Sequence, residues 1–141
     1  MTDLTMAETQ TLIARYYGAF NRADWEGMLA LLSDNVAHDL NQGVREVGRE
    51  HFRSFLQRMA RCYLEVLTDI RIMVSADGHH AAAEYVVSGQ YLSGDHGLPL
   101  ARGQRYRLPG GAFFDVADGR ITRVSNYYNL QDWLAQISRE D

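Results

Sequence analysis

Hydrophobic residues recur at helical spacing in the first part of the chain. Between residues 5 and 21, the side chains of Leu12, Tyr16 and Phe20 lie four positions apart, which predicts an amphipathic helix. Asp24 can cap a second helix over the segment WEGMLALL, because its carboxylate accepts hydrogen bonds from the free N–H groups of the first turn. A third helix is expected after a polar loop. It starts at GRE (48–50) and has one apolar side.

The hydrophobic period changes to two in the second half of the chain, as in β-strands. Strands are expected at residues 36–40, 64–74, 81–91, 106–116 and 120–129, and a short helix, WLAQI, follows a cap at Asp132. Pro109-Gly110-Gly111 inside a strand predicts a bulge or a sharp bend. Helices early and long antiparallel strands late indicate an α+β fold, in which the helices pack on one face of a curved sheet around a pocket.

Composition and charge narrow the functional classes. The chain has 141 residues, enough for one domain over residues 1–141, and a net charge of −4 without the basic stripe of a nucleic-acid binder. No apolar run approaches the roughly 18 residues of a membrane span, and the polar N-terminus lacks the features of a signal peptide, so a cytoplasmic location is expected. Cys62 is the only cysteine and no zinc-type spacing of Cys and His occurs, so neither an internal disulfide nor a metal site is predicted.

Three segments carry a resemblance to a known group of proteins: LIARYYGAFNRADWEGMLALLSDNV, GREHFRSF and FFDVADGRITRVSNYY. Over about residues 8–137 the chain resembles the nuclear-transport-factor-2-like superfamily, which includes ketosteroid isomerases and SnoaL-like polyketide cyclases. More narrowly, NQG (41–43), GLPLARGQRYRLPGGAFF and NYYNLQDWL resemble bacterial proteins described as ketosteroid-isomerase-related. The resemblance implies a cone-shaped fold, with N-terminal helices on a strongly curved, mainly antiparallel sheet. Such a fold supports several chemistries as well as pure binding.

The resemblance also implies an apolar pocket at the open end of the cone. Ketosteroid isomerases combine there a carboxylate base, a tyrosine and a protonated aspartic acid. Tyr16, in the ARY segment of the first helix, matches the tyrosine, whose phenol donates a hydrogen bond to an enolate oxygen. The protonated acid has no counterpart, because Ala112, or Gly110 or Gly111 in a shifted count, occupies its place. This difference argues against an efficient steroid isomerase of the familiar kind.

The position of the base leaves two alternatives on the first strand, VAHDL. Counting from Tyr16 without gaps puts Leu40 at the base position, whereas a one-residue deletion puts Asp39 there. Strand alternation places His38 with Leu40 on the more apolar face, and thus in the pocket, and turns Asp39 outward. A histidine suits proton transfer because its ordinary pKa lies near neutrality. His38 and Asp39 therefore both remain candidates for the residue that transfers the proton.

The same matching assigns further residues to the pocket. Asn126 and Tyr128 occupy inward positions of the last strand, where the Asn126 amide either ties down neighbouring backbone or binds a polar ligand, and Tyr128 is a candidate wall. Phe55, Met59 and Phe114 are expected to set the pocket volume and hence the choice of substrate.

Several polar residues of the strands are expected on the outer face of the sheet, opposite the pocket. The resemblance implies that relatives form dimers through this face. Glu84, Arg123 and Tyr127 are expected there as interface groups. Glu65 and Asp69, four apart on one strand, share a face and are interpreted in the same way. We therefore expect a homodimer through the outer sheet face.

Taken together, these residues favour a small pocket enzyme that acts on a hydrophobic carbonyl compound by proton transfer through an enol or enolate, as an isomerase or a cyclase does. His38 or Asp39 moves the proton, and Tyr16, together with Asn126, holds the oxygen. No metal or organic cofactor is implied. The alternative, which the missing acid favours, is a non-catalytic module of the same fold that binds a hydrophobic small molecule or forms a dimer.

Overall fold

The computed structural model describes residues 4–41 and 43–139. Gln42, in the middle of the NQG segment, lies outside the described residues, as do residues 1–3 and 140–141. The elements are, in chain order, α1 (Met6–Asn21), α2 (Trp25–Leu29), β1 (Leu32–Leu40), β2 (Arg45–Val47), α3 (Arg49–Cys62), β3 (Tyr63–Val74), β4 (His80–Tyr91), β5 (Arg105–Ala117), β6 (Arg120–Tyr128) and α4 (Leu130–Ile137). The predicted helices and long strands are present in the predicted order, and the chain has the α+β fold expected from its pattern.

The first helix begins where a capping box forms. The Thr5 hydroxyl accepts from the backbone N–H of Glu8 at 3.1 Å, and the Glu8 carboxylate accepts from the N–H of Thr5 at 3.0 Å. At its other end, the Asn21 side chain donates to the Leu67 carbonyl and accepts from the Leu67 N–H, both at 2.9 Å. The amide thus acts like a short strand partner, and it fastens α1 to the edge strand β3.

Two boundaries near the second helix differ from the prediction. Asp24 caps α2 as expected, by accepting from the Gly27 N–H at 3.0 Å, but the helix ends at Leu29. Strand β1 begins at Leu32 instead of Val36 and so contains the last residue of the predicted helix. The short strand β2 lies inside the predicted polar loop, where it pairs antiparallel with β1.

One strongly curved sheet holds all six described strands in the order β2-β1-β6-β5-β4-β3. The pair β1–β6 is parallel and the other neighbours are antiparallel. We call the side on which the helices pack the concave face and the opposite side the convex face. Alternate residues of each strand lie on the two faces, so that on β5 Phe114 is fully buried on the concave face while Phe113 is 50% exposed on the convex face.

A bulge in β3 changes which residues face inward. The register with β4 shifts between Thr68 and Arg71, and Asp69 has a positive φ of 54°. Before the bulge, Glu65 alternates with the buried Tyr63 and Leu67 and so lies on the concave face. Glu65 and Asp69 therefore do not share a face, and the interpretation of Glu65 as a convex interface group is wrong.

The predicted bulge at Pro109-Gly110-Gly111 does not occur, because the register between β4 and β5 runs unbroken through these residues. Glycine instead allows a tyrosine ring of the neighbouring strand to pack close to the backbone. A Cβ atom on Gly110 would come within 2.8 Å of the Tyr85 ring, and one on Gly89 within 2.3 Å of the Tyr106 ring. Each tyrosine ring therefore lies directly over a glycine of the neighbouring strand.

The C-terminal helix covers one part of this aromatic surface. Asn129 caps α4, since its side chain accepts from the Asp132 N–H at 3.0 Å, so that Asp132 lies in the first turn and is not the cap. The Trp133 ring packs 5.8 Å from Tyr63 and 5.9 Å from Tyr106, measured between ring centroids. Within the described residues, no helix is long and apolar enough to cross a membrane.

We predict that Gly89→Ala destabilises the protein by about 1–3 kcal/mol, because the added methyl group displaces a buried Tyr106 ring that Trp133 holds in place. Gly94→Ala is the matched control, since a Cβ there meets nothing within 4 Å. Urea unfolding of both variants measures the difference. Equal stability of the two variants would contradict the packing described here.

Candidate functional site

His38 lies on the concave face of β1 and is 2% exposed. Its imidazole stacks on Phe52 with ring centroids 4.3 Å apart and meets the edge of Phe55 at 4.7 Å, both rings coming from α3. Asn126, from the adjacent strand β6, places its amide Nδ2 3.0 Å from His38 Nε2. The inward position follows from strand alternation, which also places Val36 and Leu40 on this face.

The Asn126 amide determines which imidazole nitrogen is available. When Nδ2 donates to Nε2, the imidazole proton rests on Nδ1. When the amide is turned, Oδ1 accepts from Nε2–H and Nδ1 keeps a free lone pair. Nδ1 of His38 is buried and has no hydrogen-bond partner among the described residues. Depending on how the amide is turned, Nδ1 is therefore either a hydrogen-bond donor or a base.

Burial also sets the charge of His38. Removal from water lowers the pKa of His38 to about 4, and the nearby negative charge of Asp39 opposes this only in part. The imidazole is therefore neutral at pH 7.

Asp39 lies on the convex face, away from His38. Its carboxylate accepts from Arg45 Nε at 2.6 Å and from the Ser125 hydroxyl at 2.6 Å. The Arg45 hydrogen bond is the largest of the effects that hold the pKa of Asp39 down, to about 2. The count with a one-residue gap would have put Asp39 in the pocket, and its position on the convex face disagrees with that count. Its hydrogen bonds with Arg45 and Ser125 indicate a structural role.

Two tyrosines of α1 point toward the concave face. Tyr16, the residue matched by sequence, packs edge-on against Phe114 at 5.6 Å, and Tyr17 packs against Tyr85 at 5.6 Å. Burial raises the pKa of both phenols, so both stay protonated and able to donate. The Tyr17 hydroxyl is buried and without a hydrogen-bond partner in the described part of the chain. Sequence matching missed Tyr17, although the adjacent tyrosines of ARYY were a visible signal.

The remaining predicted pocket residues occupy different depths. Phe55 and Met59 are half-buried on α3, and Phe114 is fully buried and packs edge-on against the rings of Tyr16 and Tyr17. Tyr128 is 40% exposed and packs against Trp133 with ring centroids 6.3 Å apart.

The helices do not bury the concave face completely. Several side chains point inward and yet remain partly exposed, namely Leu40, Phe55, Met59, Glu65, Tyr85 and Asn126. At the rim, the Tyr63 hydroxyl donates to Asp95 at 2.7 Å, and Arg58 lies 3.8 Å from the same carboxylate. A ligand on the concave face would thus contact aromatic rings, one amide and one carboxyl group.

Glu65 is the polar residue that sequence reasoning assigned to the wrong face. The Tyr106 hydroxyl donates a hydrogen bond to its Oε2. Burial raises the pKa of Glu65, and the hydrogen bond from Tyr106 opposes the rise. Burial, and then the charge of Glu65, raise the pKa of Tyr85 to about 12. Among residues 4–41 and 43–139, no three His, Cys, Asp or Glu side chains lie together in a way that could hold a metal ion.

Comparison with known proteins places a SnoaL-like domain at residues 13–124. A proposed polyketide cyclase from Xanthomonas campestris pv. campestris is 59% identical, covers 94% of this chain and 98% of its own, and superposes with a TM-score of 0.92. Proposed polyketide cyclases from Pseudomonas putida and Silicibacter sp. are each 52% identical with TM-scores of 0.92; they cover 96% and 97% of this chain and 99% and 100% of their own. No curated protein gives a significant match.

We predict that His38 and Asp39 make stability depend on pH in two separate windows. The unfolded chain protonates His38 near its ordinary pKa of 6.5, whereas the folded protein does so only near pH 4, so the free energy of unfolding falls by up to about 3 kcal/mol as the pH falls through this range. Asp39 has a lowered pKa, so its contribution is present above 3.8 and is lost as the pH falls toward 2, by about 1–2 kcal/mol after allowing for its partial exposure.

Urea unfolding at a series of pH values separates the two windows. His38→Gln should flatten the upper window alone, and Asp39→Asn the lower window alone. An unchanged upper slope in His38→Gln would mean that the imidazole is not buried in its neutral form.

Proposed function

The chain belongs to the SnoaL-like domain family, and from this premise we propose that it is an enzyme that transfers a proton on a hydrophobic carbonyl compound, through an enol or enolate, in an isomerase- or cyclase-like reaction. The observation that carries the proposal is the buried, neutral His38, which is paired with Asn126 and enclosed by the rings of Phe52 and Phe55. The polyketide cyclase activity proposed for the three similar proteins is consistent with it, because closing a carbon ring through an enolate starts with the same proton removal.

His38 has the basicity that this step needs. A pKa of about 4 makes the neutral imidazole as strong a base as an ordinary carboxylate. Ketosteroid isomerases use a carboxylate of about this strength for the same proton transfer. With the Asn126 amide turned to accept from Nε2–H, the Nδ1 lone pair of His38 takes the α-proton of the ligand.

The oxygen of the resulting enolate requires hydrogen-bond donors. The phenols of Tyr16 and Tyr17 are protonated at neutral pH and lie in a largely apolar environment, where a hydrogen bond to a developing negative charge is strong. The Tyr17 hydroxyl is buried without a partner, which makes it the better placed of the two to bind a ligand oxygen. We assign oxygen binding to this pair, with Asn126 fixing the orientation of His38.

A second candidate function is non-catalytic binding of a hydrophobic small molecule. The buried Ala112, at the position where isomerases carry their protonated acid, favours it. In this case the half-exposed aromatic residues would bind the ligand, and no proton would be transferred.

We predict that the protein catalyses the exchange of α-hydrogens of a β,γ-unsaturated steroid ketone or of acetonaphthone in deuterium oxide, measured by proton NMR. His38→Gln should lower the rate by about a hundredfold or more. Asp39→Asn, which changes the opposite face of the same strand, is the matched control and should retain the rate. The rate should rise with pH through about 4 and then level off, because only the neutral imidazole accepts a proton.

Each other result has a defined meaning. Loss of exchange in Asp39→Asn but not in His38→Gln would identify Asp39 as the residue that transfers the proton. Thermal stabilisation by these ketones without any exchange would favour the binding module.

We also propose that the protein forms a homodimer through the convex face. Large apolar side chains are exposed there at fractions from 44% to 60%, namely Leu64, Val66, Met73, Phe113 and Tyr127. Exposed apolar patches of this kind mark interaction surfaces in soluble proteins. Arg123 is less suitable as a probe of this surface, because its guanidinium is held by Asp115 at 2.8 Å.

We predict that Phe113→Glu shifts the dimer toward the monomer, because it places a charge in the apolar centre of the surface. Leu100→Glu is the control, since Leu100 is 84% exposed on a loop away from the sheet. Light scattering over a dilution series gives the mass of each variant. A wild-type protein of monomeric mass at every concentration would refute the dimer.

A further inference from the structure

A second polar group faces the concave side from the opposite edge of the sheet. Glu65 lies on β3, between the inward Tyr63 and Leu67, whereas His38 and Asn126 lie on β1 and β6. The proton transfer proposed above does not use it. A carboxyl group among aromatic rings is costly to bury, so its presence there calls for an interaction that compensates the loss of water.

Within the described residues, only one of the two oxygens of the Glu65 carboxyl group has a hydrogen-bond partner. Tyr106 donates a hydrogen bond to Oε2. The ring of Tyr106 packs against Trp133 and lies over Gly89, where there is no side chain to displace it. Within the described residues, Oε1 has no hydrogen-bond partner, and Glu65 remains partly exposed. One oxygen is thus held in place while the other is accessible to a ligand.

The surroundings of Glu65 raise its pKa, because burial disfavours the charged carboxylate. The titratable groups that face it are phenols, namely Tyr85 on β4, Tyr106 on β5 and Tyr128 on β6. Among the described residues, no Arg or His contributes to its pKa. Arg58 and Asp95 at the rim form their own pair, with Tyr63 donating to Asp95.

We propose that Glu65 is a ligand-contacting residue of the concave site, whose carboxylic acid donates a hydrogen bond from its free oxygen to a neutral oxygen of the ligand, while Tyr106 holds the carboxyl group in place. The inference rests on the proposed function only in that both put the ligand on the concave face. It does not depend on proton transfer by His38.

This arrangement selects a class of ligand. The site offers an acid hydrogen at the β3 edge and the imidazole of His38, paired with Asn126, on β1 and β6 across the sheet, with aromatic rings between them. It therefore fits a flat, largely apolar molecule with two separated neutral oxygens, such as a diketone or a hydroxyketone. A cation held by the Glu65 carboxylate and the tyrosine rings is the competing possibility, and it requires the opposite charge state of Glu65.

The first experiment measures the proton on Glu65 without a ligand. Carbon-13 NMR of the glutamate side chains, assigned with Glu65→Gln, should show Glu65 titrating above its ordinary pKa of 4.5. Tyr106→Phe should move this titration to still higher pH, because the variant removes a hydrogen bond that stabilises the carboxylate form of Glu65. Titration of Glu65 at or below the ordinary value would overturn the inference.

The second experiment measures the affinity for a neutral diketone with two separated oxygens, androst-4-ene-3,17-dione, as a function of pH. Affinity should be constant in acid and fall as the pH rises through the titration of Glu65, and in Tyr106→Phe this fall should move to higher pH. Glu65→Gln keeps a donor and should bind about as well as the wild type in acid, with a flat pH profile. Glu65→Met has a similar shape but no donor, and it should bind about tenfold more weakly.

Three outcomes would overturn the proposal: a flat profile in the wild type, equal binding by Glu65→Met, or no binding of androst-4-ene-3,17-dione to the wild type. Naphthylmethyl-trimethylammonium tests the competing ligand. Tighter binding of this cation with rising pH, lost in Glu65→Gln, would replace the acid donor by a carboxylate site. Because these measurements follow binding and not exchange, a failure of Glu65 is distinguishable from a failure of His38.

Discussion

The alternation of side chains across one curved sheet is the constraint on which the rest of this structure depends. On β1, His38 points into a cage of aromatic rings, and its neighbour Asp39 points into a network of arginines and hydroxyls on the other face. The same backbone thus carries a neutral base in a dry environment and a strongly ionised carboxylate in a polar one. A slip of one residue would exchange the two and would bury an unpaired charge.

Much of the fold could be predicted from the sequence because its signals are local. A capping box starts α1, and the period of two marks the long strands. The orientation of His38 also followed from the pattern, because its face carries the large apolar residues Val36 and Leu40, whereas the other face carries Ala37, Asp39 and Asn41. The strand β2 gave no such signal, since its three residues are partly or fully exposed and depend on pairing with β1.

Glu65 shows where the pattern fails. On β3 both faces carry apolar residues, with Tyr63 and Leu67 inward and Leu64 and Val66 outward, so hydrophobicity does not distinguish the two sides. The bulge at Asp69 then changes the phase of the strand, and a count across it assigns the wrong face. The backbone conformation that produces this shift depends on packing between strands, which the local sequence does not encode.

The convex network explains how the inner site is held. A chain of hydrogen bonds and ion pairs crosses five strands, from β2 to β4, through Arg45, Asp39, Ser125, Arg123, Asp115 and His80. It fixes β1 to β6, and these are the strands that bring His38 and Asn126 together on the other face.

The aromatic half of the site is held differently, by rings that lie over Gly89 and Gly110 on neighbouring strands. A position-by-position match to the ketosteroid isomerases puts Ala112 where their protonated acid is expected. The concave face still contains an acid, Glu65, which a different strand contributes. The chemistry of such a site therefore has to be worked out from the groups that share the concave face, whichever strand supplies them.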